Sequence, residues 1–237
     1  MRPAPTASAG HGDSARELIL ARIRAAVRGA PDAPGTPDAP PTPHTHHAPD
    51  VRRDYLESHT PGDTASVTDL LHENLADYRA LVHRTDQQDL PALLARLLAA
   101  RGSRTMLVPP GLPSHWLEKA TYITEVADRA SSTARELDAV DSVITGCALA
   151  IAETGTIVLD GGPDQGRRRI TLVPDHHICV VRAPEQIVAS VPQALTRLDP
   201  ARPMTWISGP SATSDIELDR VEGVHGPRTL EVVLVTG

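Results

Sequence analysis

With 237 residues, the chain is long enough for one large domain plus a tail, or for two small domains. Aromatic residues make up 2% of it and Phe is absent, which argues against a binder of single-stranded nucleic acid, since such proteins stack bases on aromatic side chains. The formal net charge of −7 disfavours DNA or an anionic membrane as a partner.

Cysteine content and hydropathy limit the cellular compartment. Cys147 and Cys179 are the two cysteines, too few for a disulfide framework and in keeping with a reducing cytosol. Two thiols also cannot ligate a conventional four-cysteine iron–sulfur cluster, so electrons in any redox role would travel through something else. No apolar run approaches the roughly 20 residues that span a bilayer. We therefore expect a cytoplasmic protein without membrane insertion.

The first 65 residues predict a short helix and a linker. Ser14 and Glu17 form an S-x-x-E capping box for a helix over residues 14–28, and Gly29 suits its C-cap. Residues 30–50 are rich in Pro and nearly free of large apolar side chains, which is typical of a disordered or polyproline linker. We predict an N-terminal segment with a helix over residues 1–29, a Pro-rich, partly disordered linker over 30–65, and one domain over 66–237.

Helix and strand patterns alternate from residue 66 onward. Apolar spacing predicts helices over residues 71–82, 90–98, 114–120 and 133–140, and a helix from residue 184 in which Pro192 marks a kink or a later start. Apolar and β-branched runs predict strands over residues 105–108, 122–126, 156–160, 170–173, 178–181, 204–208 and 230–236. This alternation predicts an α/β layered domain with a mostly parallel sheet covered on both faces. The glycine turn at Gly161 suggests one antiparallel hairpin within it.

Residues 150–156, A-I-A-E-T-G-T, are the first candidate site. Glu153 is followed by Thr154, Gly155 and Thr156 between two apolar runs. Gly155 lets the backbone turn or approach a ligand, and the hydroxyl and N–H groups beside it can receive an anion. An ordinary tight turn with a solvated Glu153 explains the same spacing.

Residues 208–217, S-G-P-S-A-T-S-D-I-E, are the second candidate site. They follow a predicted buried strand and so emerge at its carboxyl end, where open α/β sheets bind ligands. Their hydroxyl side chains can cap a helix whose N-terminus attracts anions, and simple capping is the alternative. Gly209, Ser211 and Asp215 are the candidate ligand-binding residues.

Residues 223–228, G-V-H-G-P-R, are the third candidate site. Histidine titrates near neutral pH when unperturbed, so His225 suits proton transfer. Arg228, beside Gly226, can hold a carboxylate or phosphate with two hydrogen bonds. A structural turn before the last strand is the alternative.

Other polar residues give weaker signals. His176 and His177 point to opposite faces of an extended chain, so a shared metal site is not expected. The histidines of the Pro-rich linker suit adventitious metal binding. The basic run of residues 167–169 either attracts an anionic substrate or faces solvent. Cys147 is expected to be buried and inert.

These segments carry a family resemblance. Residues 150–156 resemble the A-I-A-[DE]-T-G-T signature of the LUD domain, and residues 172–181 resemble its L-x-P-x-x-H-I-x-V-V element. Residues 208–217 and 223–228 are similar to its S-G-P-S-x-T-x-D-I-E and G-x-H-G-P-R motifs. The best match is the lactate-utilisation protein C branch, over roughly residues 66–237, although Ala212 stands where many relatives carry Arg.

The resemblance implies a NagB/RpiA/CoA-transferase-like α/β fold with helices on both faces of the sheet. It also implies work with two partner proteins that oxidise L-lactate to pyruvate, in which the iron–sulfur clusters belong to the partners and this chain binds no cofactor or metal. In this hypothesis the three segments form one pocket for a small organic acid. Arg228 pairs with the carboxylate, His225 transfers a proton and Glu153 orients one of them.

Two other functions are open at this point. The implied fold also hosts CoA transferases, sugar-phosphate isomerases and a folate cyclo-ligase, so a stand-alone small-molecule enzyme with Glu153 as its nucleophile is the second hypothesis. A small-molecule-sensing regulator is the third, disfavoured by the acidic charge and the missing DNA-binding pattern. The sequence therefore leaves open whether the chain is an enzyme by itself.

Overall fold

The computed structural model describes residues 17, 19–24, 58–59, 63–211 and 226–237. The chain divides into a unit of residues 1–53 and a unit of residues 54–237. In the first unit, residues 17 and 19–24 form a helix, α1, within the predicted span of 14–28, whereas the predicted linker over 30–50 lies outside the described residues. Within the described ranges, no helix is both long enough and apolar enough to cross a membrane.

The second unit alternates helices and strands. Its helices are α2 (Thr64–Asp77), α3 (Leu90–Ala100), α4 (Ala134–Asp138) and α5 (Val191–Arg197). Its strands are β1 (Leu81–Asp86), β2 (Thr105–Val108), β3 (Thr124–Ala127), β4 (Ser142–Thr145), β5 (Leu149–Ile151), β6 (Thr156–Leu159), β7 (His176–Ala183), β8 (Ile187–Val188), β9 (Thr205–Ile207) and β10 (Thr229–Thr236). Two 3-10 turns cover Ser114–Leu117 and Arg168–Thr171.

The strands form two sheets. The larger has the order β1-β10-β7-β4-β2-β3, and all of its neighbours are parallel. The smaller has the order β8-β5-β6-β9, in which β6 runs antiparallel to both of its neighbours. The predicted α/β class with a mostly parallel central sheet is therefore confirmed. The predicted hairpin at Gly161 is wrong, because the antiparallel hairpin joins β5 to β6 and turns at residues 152–155.

Both faces of the large sheet are covered. On one face, Leu94 and Leu98 of α3 pack with Ile178 and Val233 of the sheet. On the other face, the core joins α2 and the small sheet to the residues of β7 and β10 that alternate with the first set, among them Cys179 and Val232. Alternating residues of these central strands are thus buried on opposite sides, as expected for a parallel sheet between two layers.

Helix α2 ends earlier than the sequence predicts. Asp63 caps its start by accepting a hydrogen bond from the Ser66 amide at 2.9 Å. After Asp77 the chain passes through Arg79, which has a φ of 68° and stops the helix. The predicted helix over 71–82 is wrong at its end, because Val82 belongs to β1 and pairs with β10. The spacing between Leu71 and Val82 matches a helical period, although Val82 lies in a strand.

Three further predictions need correction. The strand predicted over residues 170–173 is wrong, because these residues begin within the 3-10 turn at Arg168–Thr171. The turn buries Ile170 against Leu107 and Val143 of the large sheet. The helix start predicted at residue 184 is wrong, and the alternative of a later start is confirmed, because the helix begins at Val191 with Pro192 in its first turn and β8 precedes it. The strand predicted over 204–208 is β9, an edge strand of the small sheet that is half-exposed rather than buried.

Candidate functional site

The T-G-T segment forms the tight turn of the β5–β6 hairpin. Gly155 has a φ of 55° and lies against α2, so closely that a Cβ there would come within 2.8 Å of the Asn74 backbone. The side-chain amide of Asn74 donates through Nδ2 to the Ala152 carbonyl at 2.8 Å. The Glu153 carboxylate accepts hydrogen bonds from the His59 amide at 2.6 Å and the Ser58 hydroxyl at 3.1 Å. This turn is therefore anchored on α2, and the Glu153 carboxylate is hydrogen-bonded to Ser58 and His59.

A chain of hydroxyl groups connects this turn to the second candidate segment. The Thr154 hydroxyl donates to Thr156 Oγ1 at 2.8 Å, and Thr156 Oγ1 lies 2.8 Å from Ser208 Oγ. Thr156 is buried, so its hydroxyl depends on these partners. The hydrogen bonds fix the position of Ser208 at the end of β9.

The S-G-P-S segment is held by close contact with the end of α2. Gly209 has a φ of 81°, a conformation that favours glycine, and a Cβ there would lie 2.3 Å from the carbonyl oxygen of Tyr78. The next residues run alongside the third segment, where the Ser211 amide donates to the Pro227 carbonyl at 2.9 Å. The described stems of the second and third candidate segments are thus hydrogen-bonded to each other.

The third segment is tied to the start of β7. Arg228 Nε donates to the Asp175 carboxylate at 2.6 Å, and the Thr229 amide donates to the Asp175 carbonyl at 3.1 Å. The hydrogen bond from Arg228 lowers the pKa of Asp175, against the opposing effect of burial. Both side chains are more than half exposed, so this ion pair adds little stability and mainly orients the guanidinium.

A pocket of about 260 Å³ opens where these segments meet. Its wall combines Ser208, Gly209 and Ser211 with Gly226 and Pro227 of the third segment. Its remaining walls come from β9, the 3-10 turn before β7, and the first residues of β7 and β10. The side chains on these walls include Arg168, Thr171, Leu172, His177, Trp206 and Leu230.

Among the described residues that line the pocket, two side chains are ionisable. Arg168 is exposed, and no acidic side chain in the described part of the chain forms an ion pair with it. His177 is completely buried, and burial, together with the nearby His176, lowers its pKa to about 3. The pocket therefore combines an accessible positive charge with an imidazole that is neutral at physiological pH.

The pocket lies at the amino ends of the central strands. His177 and Leu230 are the second residues of β7 and β10 and are paired in register. At the opposite edge, the loop containing Pro163 and Asp164 covers the ends of β2 and β4, because its carbonyl groups accept hydrogen bonds from Gly111 and Gly146. The S-G-P-S segment does follow the carboxyl end of a strand, but that strand is the edge of the small sheet.

The structure brings part of the predicted site together. Gly209, Ser211 and Gly226 line the pocket, and Thr156 reaches it through Ser208. Glu153, Thr154, Gly155 and Arg228 do not line this pocket. Asp215 and His225 lie outside the described residues, so their roles stay predictions.

Arg168 and His177 line the pocket but are not among the site residues that the sequence predicts. Arg168 belongs to a basic run of the kind that usually faces solvent, and His177 belongs to a histidine pair that was considered only as a shared metal site. The signal that was available is the family resemblance, since His177 is the histidine of the L-x-P-x-x-H-I-x-V-V element. Trp206, an exposed aromatic residue in a chain with 2% aromatics, was a second signal.

His176 and His177 point to opposite faces of the sheet, as predicted. His176 lies on the α3 side, with Nδ1 2.8 Å from Ser142 Oγ and Nε2 3.2 Å from Glu231 Oε1. The other Glu231 oxygen lies 2.8 Å from His83 Nε2. Burial on its own raises the pKa of Glu231, but the hydrogen bonds from His176 and His83 outweigh it and lower that pKa to about 2.

This second polar network is structural. Ser142 is fully buried and its hydroxyl is shared with the buried Ser103 at 2.6 Å, so no substrate reaches the serine in this arrangement. Among the residues that the structure describes, no group of three or more His, Cys, Asp or Glu side chains is placed to hold a metal ion.

The α/β domain, with its parallel six-stranded sheet and its hydrogen-bonded segments at residues 208–211 and 226–228, is a LUD domain. The family model matches residues 68–235, about seven-tenths of the sequence, so the chain belongs to the LUD domain family and the resemblance seen in the motifs is confirmed.

Named relatives and a solved structure agree with this assignment. Lactate utilization protein C of Deinococcus radiodurans is 44% identical over 179 residues, which cover 74% of this chain and 82% of that protein. Lactate utilization protein C of Bacillus subtilis is 33% identical over 134 residues, covering 53% and 55% respectively. The crystal structure of a DUF162 family protein from Deinococcus radiodurans matches with a TM-score of 0.62 and 38% identity, over 74% of this chain and 99% of that one.

Proposed function

We propose that this chain is the subunit without clusters of a system that oxidises L-lactate to pyruvate, and that it binds a small organic acid in the pocket between residues 208–211 and 226–227. The observation that carries the proposal is this pocket, in which two motif segments of a LUD domain are hydrogen-bonded to each other beside Arg168 and His177. The relatives named lactate utilization protein C support lactate as the substrate of the system.

The composition of the pocket supports a ligand of this kind. At about 260 Å³ it is slightly smaller than the pockets of roughly 300–1,000 Å³ that hold drug-sized ligands, so a small acid suits it. Arg168 offers a cation for a carboxylate, Ser208 and Thr171 are hydroxyl-bearing residues, and Leu172 and Leu230 offer apolar surface for a methyl group. Together these match a three-carbon acid with one polar substituent.

The cysteine count supports the proposed division of labour. A conventional iron–sulfur cluster takes four protein ligands, and the chain has two cysteines, both buried. We therefore assign the clusters to partner proteins, with which this chain would form a complex in the cytoplasm.

Purification from the native host tests this assignment. The full-length chain, carrying an affinity tag at its own chromosomal locus, is purified anaerobically at low salt. We expect it to bring down proteins that contain iron and acid-labile sulfide, which the untagged strain does not yield. Deleting the gene should abolish growth on L-lactate and leave growth on pyruvate intact, because pyruvate lies beyond the proposed step. Recovery of the chain without an iron–sulfur partner, together with normal growth of the deletion strain on L-lactate, would contradict the proposal.

The stand-alone enzyme with a Glu153 nucleophile is not favoured by the geometry. The Glu153 carboxylate receives hydrogen bonds from His59 and Ser58, and Glu153 does not line the pocket described above. We therefore propose no covalent chemistry at this residue.

A further inference from the structure

His177 lines the pocket and carries an unsatisfied polar atom. It is the second residue of β7, it is 0% exposed, and it is among the residues that line the pocket. Its Nε2 lies 2.8 Å from the Thr145 hydroxyl, which fixes the ring. Its Nδ1 is buried and has no hydrogen-bond partner among the described residues. One ring nitrogen is thus held by Thr145, and the other has no partner in the described part of the chain.

An unpartnered nitrogen at this position is costly. Leaving a buried donor or acceptor unsatisfied costs about 1–3 kcal/mol, and the large majority of buried polar side-chain atoms have a partner. The neighbouring core positions of the same strand, Ile178 and Val180, carry aliphatic side chains that avoid this cost. An imidazole at position 177 therefore suggests that Nδ1 has a partner from outside the protein, in the pocket that the ring lines.

The neutral ring limits what that partner can be. Because burial keeps the pKa of His177 at about 3, the imidazole carries no charge at physiological pH and gives no ionic attraction to a carboxylate. It can form a hydrogen bond with a neutral oxygen. A hydroxyl group can both donate and accept, so it can pair with Nδ1 in either tautomer, whereas a methylene group can pair with neither.

We propose that His177 recognises the 2-oxygen of the bound acid through Nδ1 and so selects 2-hydroxy acids over acids that lack this oxygen. The inference rests on the proposed function, because it takes the small organic acid of that proposal as the ligand. Arg168, at the exposed part of the pocket, attracts the carboxylate by charge, and His177 distinguishes the substituent beside it. His177 is a binding residue in this role; its low pKa makes it a poor proton acceptor.

A comparison of L-lactate with propionate tests the inference. Propionate has the same carbon chain and carboxylate but lacks the 2-hydroxyl. Calorimetric titration of the full-length wild-type protein should give a Kd for L-lactate about tenfold lower than for propionate, because one well-made hydrogen bond is at stake. In His177→Leu that ratio should fall to about one, mainly through weaker lactate binding.

Two further variants separate recognition from structure. His177→Asn places an amide close to the position of Nδ1 and should restore part of the preference for L-lactate. Thr145→Val removes the partner of Nε2 but leaves Nδ1, so it should weaken the preference without abolishing it. Thermal unfolding of each variant shows whether it is folded, and a side-chain ¹⁵N spectrum of the wild type should show the Nδ1 resonance of His177 shifting when L-lactate is added.

The outcomes separate this inference from the proposed pocket. If folded His177→Leu keeps the wild-type ratio, or the wild type does not prefer L-lactate, the recognition role is wrong while the pocket stands. If the wild type binds neither acid at millimolar concentration, both the pocket assignment and the inference fail. A ratio that collapses in His177→Leu and recovers in His177→Asn supports the inference.

Discussion

Replacing Glu231 by alanine is expected to lower the free energy of unfolding by about 3 kcal/mol, since removing one partner of a buried charged cluster is strongly destabilising. The side chain is 5% exposed and accepts hydrogen bonds from His176 and His83, with Arg101 Nε 3.4 Å away. Urea unfolding followed by circular dichroism measures the change. Glu118→Ala is the control, because its exposed pair with Lys119 should contribute less than about 1 kcal/mol. Equal stability of the two variants would contradict the structural role of Glu231.

The same residue predicts a pH dependence of stability. The hydrogen bonds lower the pKa of Glu231 to about 2, whereas its ordinary value is 4.5. Its stabilising effect is therefore complete above about pH 4.5 and is lost as the pH falls towards 2, because the unfolded chain takes up the proton first. Glu231→Gln removes this titration, so its unfolding free energy should fall less steeply than that of the wild type below pH 4.5. Parallel pH profiles would show that Glu231 is not held ionised.

Replacing Gly209 by alanine is expected to destabilise the protein by about 3 kcal/mol and to disrupt the pocket. A left-handed residue with a Cβ costs about 1–2 kcal/mol, and overpacking adds typically 1–3 kcal/mol. Here the added carbon would lie 2.3 Å from the Tyr78 carbonyl oxygen, so the S-G-P-S segment must move away from α2. Urea unfolding measures the loss of stability, and titration with L-lactate measures the loss of binding.

Gly102→Ala is the matched control for this substitution. Gly102 has a φ of 67°, similar to that of Gly209, but a Cβ there meets nothing within 4 Å. It should therefore cost only the backbone strain of about 1–2 kcal/mol and leave ligand binding unchanged. If both variants lose the same stability and bind L-lactate equally, close contact with α2 does not position the segment.

Periodic patterns predicted the layers of the fold better than they predicted where individual helices and strands end. The leucines of α3 repeat at helical spacing, and the structure buries them against the sheet as the sequence indicates. Val82 continues the spacing of α2 but lies in β1, because a left-handed residue at Arg79 ends the helix, and no side-chain pattern marks that backbone angle. Short elements such as the 3-10 turn at Arg168–Thr171 are equally hard to predict, since a few apolar residues fit a strand or a turn.

The sequence predicted some residues of the candidate site and missed others, and the difference has a physical reason. Gly209, Ser211 and Gly226 are marked by turn chemistry, which local sequence carries, and they do meet at one pocket. Arg168 and His177 lie well before these residues in the sequence, and the position of His177 beside the third segment depends on the register of β7 with β10, which local sequence does not carry. The pocket lies at the amino ends of the strands because a loop covers the carboxyl ends of β2 and β4. No sequence motif predicts this position.

The most direct test of the central claim is an amide NMR titration of the full-length protein with L-lactate. We expect the largest shifts at the amides of Ser208, Gly209, Ser211, Gly226 and Thr171. We expect Arg168→Leu to weaken binding about tenfold and Arg169→Leu, which replaces a neighbouring guanidinium that does not line the pocket, to leave binding unchanged. Shifts confined to the opposite edge of the sheet, near Pro163 and Asp164, or equal binding by the two arginine variants would contradict the account.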